Sequence, residues 1–321
     1  MSVAAKIGKR SIWVANGTVN VLVLLAILLL LVFSCYALWD SSQVYRAADA
    51  TQYAKYKPTA QNKGLSFEEL QKLNPEVFAW LTVYGTHIDY PVTQASDNLK
   101  YINTDAKGHY SLSGSIFLDC NCSKDFSDFS SIIYGHHMEK DTMFGEIGLF
   151  ASKNYFDVRR YGKLYYGGQE HGLEFFAFMR ADAYDSTVFR SSKLIGQSAR
   201  QAYLDLLKRK SLNVRPDVTV TTDDRIVLLS TCSSSGTNER DILVGKITDK
   251  VYADPFKTAQ AQKPAQPTVD RLLSLWNQCP VWARFVLAAL PFLLILLAIV
   301  LTYKKKQSRK KRAEVVGEEE R

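Results

Sequence analysis

Two stretches of the chain are predominantly apolar, and between them apolar residues come in short bursts. The first stretch, 19–39, contains no charged residue. About 20 apolar residues at a 1.5 Å rise cross a bilayer core, so this stretch predicts a transmembrane helix. Lys6, Lys9 and Arg10 precede it and Asp40 follows it. A cleavable signal peptide has a shorter run and a small-residue exit, whereas this run ends in Tyr36, Leu38 and Trp39 and reads as an uncleaved anchor. The second stretch, 282–303, is bounded by Trp282 and Tyr303 and is followed directly by KKKQSRKKR. It predicts a second transmembrane helix, with Arg284 at its outer end snorkelling to the headgroups.

Positive flanks stay on the cytoplasmic side. The expected topology is therefore a cytoplasmic N-terminus (1–18), a span (19–39), an extracellular middle, a second span (282–303) and a cytoplasmic basic tail (304–321). In the middle, 40–65 reads as a polar helical stalk and 254–281 as a Pro-, Gln- and Ala-rich linker. The domain between them is 66–253. It opens on Ser66-Phe67-Glu68-Glu69, a capping-box pattern for a short helix that Asn74-Pro75 ends.

From Val83 onward short β-rich runs are separated by Gly, Ser, Asp and Asn: HIDYPVTQ, GSIFLD, SIIYG, GKLYY, LEFFAFM, DVTV, RIVLLS and ILVGKI. Many short strands at such spacing predict a mainly β domain built as a closed barrel. Two helical patterns interrupt it. One follows Met143, with Phe144, Ile147, Leu149 and Phe150 as its apolar side. The other spans about 192–210, with Ala199, Tyr203, Leu206 and Leu207 on one stripe.

The formal net charge is +8. Most of it sits on the two membrane flanks, so it reports orientation in a membrane and not nucleic-acid binding. Five cysteines are too few for a disulfide scaffold in an exported domain of this size. Cys35 falls inside the first span; Cys120, Cys122, Cys232 and Cys279 fall outside.

Chemistry concentrates in RIVLLSTCSSSGTNERDILVGKITDK, 225–250. An apolar strand runs into Ser230, Thr231 and Cys232, a polar loop follows, and Arg240 begins the next strand. If these strands are antiparallel neighbours, Cys232 and Arg240 meet at one end of the sheet. A nearby cation favours a nucleophilic thiolate, and a guanidinium stabilises the oxyanion of a tetrahedral intermediate. The segment alone reads equally well as a buried structural cysteine near a surface arginine. In SIIYGHHMEKDTMFG, 131–145, a strand ends at Tyr134-Gly135 and His136 leaves it as the chain turns. A histidine there can act as general acid and then base, although a turn histidine without a role is the commoner case.

LSTC with arginine eight positions later resembles the signature of sortases, and YGHHM…MFG resembles the histidine motif of their class B branch. FEELQKLNPEVFAWLTVYGTHIDYPVTQ (67–94) and SGSIFLDCNC (113–122) are similar to class B sequences in order and spacing, so the resemblance covers about 67–251. It implies a sortase-like closed β-barrel with N-terminal helices and a helix in the β6/β7 connection. It implies a cysteine transpeptidase that needs neither cofactor nor metal.

In that reading Cys232 attacks the carbonyl of a Thr in a C-terminal sorting motif and forms a thioester. His136, in preference to His137, protonates the leaving amine, and Arg240 holds substrate and oxyanion. Asn98, Ile102, Tyr134, Ser230 and Thr231 match the substrate groove, and about 186–189 contacts the sorting peptide. The implied partners are surface or pilin proteins bearing the motif, an amine acceptor on a peptidoglycan precursor or a pilin lysine, and the membrane, with no nucleic acid. The alternative is a catalytically silent membrane-bound scaffold for surface-protein assembly, against which the joint presence of Cys232, His136 and Arg240 argues. Two features depart from the branch. Cys120 and Cys122 are unusual for it: a strained local disulfide, a weak metal site or two free thiols are open, and free thiols are favoured because C-x-C alone is a poor metal signal. The second span is common instead in class C enzymes, which polymerise pilins.

Overall fold

The computed structural model describes residues 3–59, 65–139, 141–189, 194–232 and 238–257. The chain divides into two units, Met1–Lys257 and Thr258–Arg321. All of the second unit, with the expected second span and basic tail, lies outside the described residues.

Alternating apolar positions in the first unit build nine strands among the described residues. They are β1 (Val77–Val83), β2 (Asp89–Thr93), β3 (Ile116–Leu118), β4 (Ser130–Tyr134), β5 (Tyr161–Tyr166), β6 (Gln169–Asp182), β7 (Ser211–Val214), β8 (Arg225–Cys232) and β9 (Glu239–Thr248). Hydrogen-bonded neighbours run β5-β1-β2-β3-β4-β8-β9-β6, and β6 returns to β5. Eight strands therefore close into a barrel, and β7 adds to the second half of β6. Closure removes the exposed edge that an open sheet of this length would present. The β2–β3 and β4–β8 pairs are parallel and the other pairs antiparallel.

Two apolar clusters share the strands. In β8, Val227 and Leu229 join a main core with Leu81, Ile133, Phe178 and Leu243. Ile226 and Leu228 join a second core with Leu204 and Leu207 of the helix Gln197–Lys210. A strand buried on both faces reads as a continuous apolar run, which is how RIVLLS reads. Each such side chain contributes about 2 kcal/mol by leaving water. Against β9, the β6 register slips between Phe175 and Ala177. The bulge sends Phe175 and Phe178 to the main core and Phe176, Ala177 and Met179 to the second.

Among the described residues the α-helices are α1 (Val3–Ala48), α2 (Leu65–Leu73), α3 (Lys153–Val158) and α4 (Gln197–Lys210). The α4 helix lies in the β6/β7 connection and buries Tyr203, Leu204 and Leu207. The α1 helix contains the expected first span. It is long and apolar enough to cross a membrane, and none of its most apolar window is buried.

Several local features differ from the sequence reading, and β1 and β7 lie outside the expected strand runs. The pattern after Met143 is a 3₁₀ turn, Ile147–Ala151, before α3. Three residues per turn align Phe144, Ile147 and Phe150 inward and rotate Leu149 outward to 46% exposure. Ser66 stands inside α2, and its hydroxyl donates to the Lys57 carbonyl instead of capping the helix. The segment 217–220 forms no strand. It follows a turn at Pro216, and Val218 and Val220 are buried in the second core without a ladder.

The last difference concerns 40–59, expected as a stalk. Ala48, Tyr53 and Tyr56 are buried in the main core, the last two from a 3₁₀ turn at Ala50–Tyr56. The Tyr90 hydroxyl donates to the Ala48 carbonyl at 2.8 Å. A fragment 47–257 is therefore expected to be more stable than a fragment 64–257 by about 4 kcal/mol, the contribution of two buried tyrosines. Equal guanidinium unfolding midpoints for the two fragments would remove this segment from the folded core.

Candidate active site

Register collects the candidate residues. In the parallel β4–β8 pair Tyr134 is the partner of Ser230. His136 lies two residues beyond Tyr134, and Cys232 lies two residues beyond Ser230. In the antiparallel β8–β9 pair the partner of Cys232 is Arg240. The three positions thus come from different strand ends to one end of the barrel. The next residue, Asp241, is fully buried and accepts a 2.8 Å hydrogen bond from Arg180 Nε on β6, which ties β9 down beside Arg240.

A cavity of about 330 Å³ opens there. Asn98, Ile102, Tyr134, His136, Ser230, Thr231 and Arg240 all line it. Phe189, from the segment expected to meet the peptide, also lines it, as do Phe117, Gly135 and Ala183. Phe117 and Ala183 escaped sequence reasoning, because nothing in an apolar strand residue or an alanine signals a cavity wall. His137 forms an isolated bridge with Met143 and is not among the lining residues.

His136 Nε2 lies 2.8 Å from the Ile102 carbonyl. A carbonyl only accepts, so Nε2 carries a proton whether the ring is neutral or cationic, and Nδ1 is the nitrogen left to exchange one. That carbonyl ends a 3₁₀ turn, Lys100–Ile102, and Gly114 packs against it. Gly114 has φ +57°, and a Cβ there would sit 2.4 Å and 2.5 Å from the Tyr101 and Ile102 carbonyl oxygens. Only glycine permits this approach.

Tyr134 and Asn98 also line the cavity. The Tyr134 hydroxyl donates to Asp119 Oδ2 at 3.1 Å, and its ring lies 5.4 Å from that of Phe117. Burial first, and then the Asp119 charge, push the phenol well above its ordinary pKa, so it stays protonated. Cys120 and Cys122 are free. Burial pushes the Cys122 thiol up to about 12, and burial with the Asp119 charge raises Cys120. Neither favours the thiolate that a nucleophile needs. Among the described residues the group His87, Asp141 and Glu146 brings metal-type ligand atoms within 4.8 Å of one another. Its buried member, Glu146, already accepts from His87 and from the Tyr155 hydroxyl.

No family model matches the chain. The chain is 31% identical over 183 residues to sortase B of Staphylococcus aureus (strain NCTC 8325), covering 56% of this chain and 74% of that protein. The crystal structure of sortase B from the type II pilus of Streptococcus pneumoniae is similar at 46% identity and a TM-score of 0.51, over 57% of this chain and 99% of that one. A Streptococcus pyogenes class B sortase involved in pilus biogenesis is similar at 40% identity and a TM-score of 0.52, over 58% of this chain and 99% of that one.

Proposed function

This chain belongs to the sortase B family, and from that membership we propose that it is a cysteine transpeptidase with Cys232 as nucleophile, His136 as acid and base, and Arg240 as oxyanion partner. The observation that supports the reading is the register: His136 and Arg240 line one cavity, and the β8–β9 ladder pairs Cys232 with Arg240.

The Cys232 thiolate adds to the carbonyl carbon of a Thr in the sorting motif, and the electron pair moves to the oxygen. Arg240, opposite Cys232 in the ladder, supplies the guanidinium that stabilises that oxyanion. When the carbon–nitrogen bond breaks, His136 gives a proton from Nδ1 to the leaving amine, and a thioester remains. An incoming amine loses its proton to the same nitrogen, attacks the thioester and releases the thiolate. The hydrogen bond from Nε2 to the Ile102 carbonyl holds the ring in place through both half-reactions. Asn98, Ile102, Tyr134, Ser230 and Thr231 form the wall against which the peptide lies.

The amine is either a peptidoglycan precursor or a pilin lysine. The pilus descriptions of the relatives at 46% and 40% identity favour the pilin lysine. The domain works outside the cell, tethered by the span in α1 and by a second span at 282–303, with both basic flanks in the cytoplasm.

Mass spectrometry of the full chain after incubation with sorting peptides tests the reading. A peptide acyl group on Cys232 that a nucleophilic amine then releases is the expected result. An unmodified Cys232 with no cleaved peptide would leave the silent scaffold.

A further inference from the structure

The cavity wall that carries Tyr134 and Asn98 is organised by a residue behind it. Asp119, just past β3, is 5% exposed. Its Oδ2 accepts from Asn98 Nδ2 at 3.0 Å and from the Tyr134 hydroxyl at 3.1 Å. Its Oδ1 accepts from the backbone and the side-chain nitrogen of Asn121 at 2.9 and 3.0 Å. Among the described residues no lysine or arginine forms an ion pair with it. A buried carboxylate satisfied by four neutral donors holds each of them firmly, because losing one leaves a buried charge under-solvated.

The consequence for Asn98 is a single amide orientation. Its Oδ1 accepts from the Cys120 backbone N–H at 2.8 Å, while Nδ2 faces the carboxylate. A flipped amide would set oxygen against oxygen and N–H against N–H. One Nδ2 hydrogen is thus committed to Asp119 and the other is left to offer. Tyr134 is constrained in the reverse sense. Its one hydrogen goes to Asp119, so its oxygen has only lone pairs left.

We propose that Asp119 is a positioning residue for substrate. It turns Asn98 so that the wall offers an N–H to an acceptor oxygen of the bound peptide, and turns Tyr134 so that it offers a lone pair to a peptide N–H. The inference rests on the transpeptidase reading and extends it, since it specifies a polar pattern that the substrate must match. Without the carboxylate, Asn98 can flip and Tyr134 can donate into the cavity, and the pattern is lost.

The test uses the full chain in detergent. The probe is the best-cleaved member of a panel of quenched fluorescent peptides with a fixed Thr before the scissile bond. Asp119→Asn is expected to raise KM by about tenfold or more, the effect of losing hydrogen bonds to a charged group. Turnover at saturation should stay within about threefold of wild type, and Cys232 should be alkylated by iodoacetamide at the wild-type rate. Combined with Asn98→Ala, it should raise KM no further than Asp119→Asn alone, because the Asn98 contact is already lost in that variant. Unchanged KM in Asp119→Asn, or two effects that multiply, overturns the inference while leaving the transpeptidase reading intact. If Asp119→Asn does not fold, Asn98→Ala and Tyr134→Phe carry the test, each expected to raise KM with the alkylation rate unchanged. Unchanged KM in both overturns it. Wild-type protein that cleaves no member of the panel overturns the transpeptidase reading, and this inference with it.

Discussion

Replacing Cys232 by alanine is expected to abolish both cleavage of a sorting peptide and transfer to an amine, by roughly 10⁴-fold or more, and to leave the fold intact. The size follows from the chemistry: a group that forms the covalent intermediate has no substitute in the site. Cys120 and Cys122 do not supply one, since burial raises both thiols away from the reactive state. The fold is expected to persist because Cys232 ends β8, and the ladder to Arg240 uses backbone groups that alanine retains. Steady-state rates, with circular dichroism of the same preparations, check both halves. Residual turnover near that of wild type would remove Cys232 from the mechanism, and a lost fold would make the cysteine structural.

The second large effect is expected at Arg240. Arg240→Lys should lower kcat by about 10²- to 10³-fold, the usual result of removing an oxyanion donor, with a smaller change in KM. Lysine keeps the charge but not the planar fork of N–H donors, so geometry and not charge accounts for the loss. The backbone around Arg240 is well held, because Asp241 is fully buried and bonded to Arg180. A lysine side chain would therefore start from the same point and fail in its donors. Rates for Arg240→Lys and Arg240→Ala decide the issue. A lysine variant that keeps most of the wild-type kcat would reduce Arg240 to a positive charge.

Much of the barrel was legible because strand runs and turn residues are local signals. RIVLLS and LEFFAFM are apolar on both faces and could hardly lie anywhere but inside. The failures have a common cause. DVTV has strand chemistry, yet it follows Pro216 and is buried without a ladder. Tyr53 and Tyr56 sit in a polar stretch that reads as a stalk, and only the barrel gives them a surface to bury against. Leu149 belongs to the apolar side of an α-helix but not to that of a 3₁₀ turn. In each case a distant partner, or the lack of one, outweighed the local preference.

By itself the sequence determined most of the strand segments, the helix in the connection after β6, an apolar N-terminal helix, and the residue types that chemistry would require. Those properties are carried by side-chain period, composition and short motifs, each contained within a few residues of chain. The tertiary structure alone decided how the barrel closes: β5 and β6 form a local hairpin across Gly167-Gly168, but the β1–β5 pairing joins strands far apart in the chain. It also decided that His136 shares a cavity with Arg240, since their meeting requires a parallel β4–β8 register across almost 100 residues of intervening chain. Asp119 became visible only then. A carboxylate at the end of a short strand is unremarkable in sequence, and what distinguishes it is the four donors that the fold, not the local chain, turns toward it.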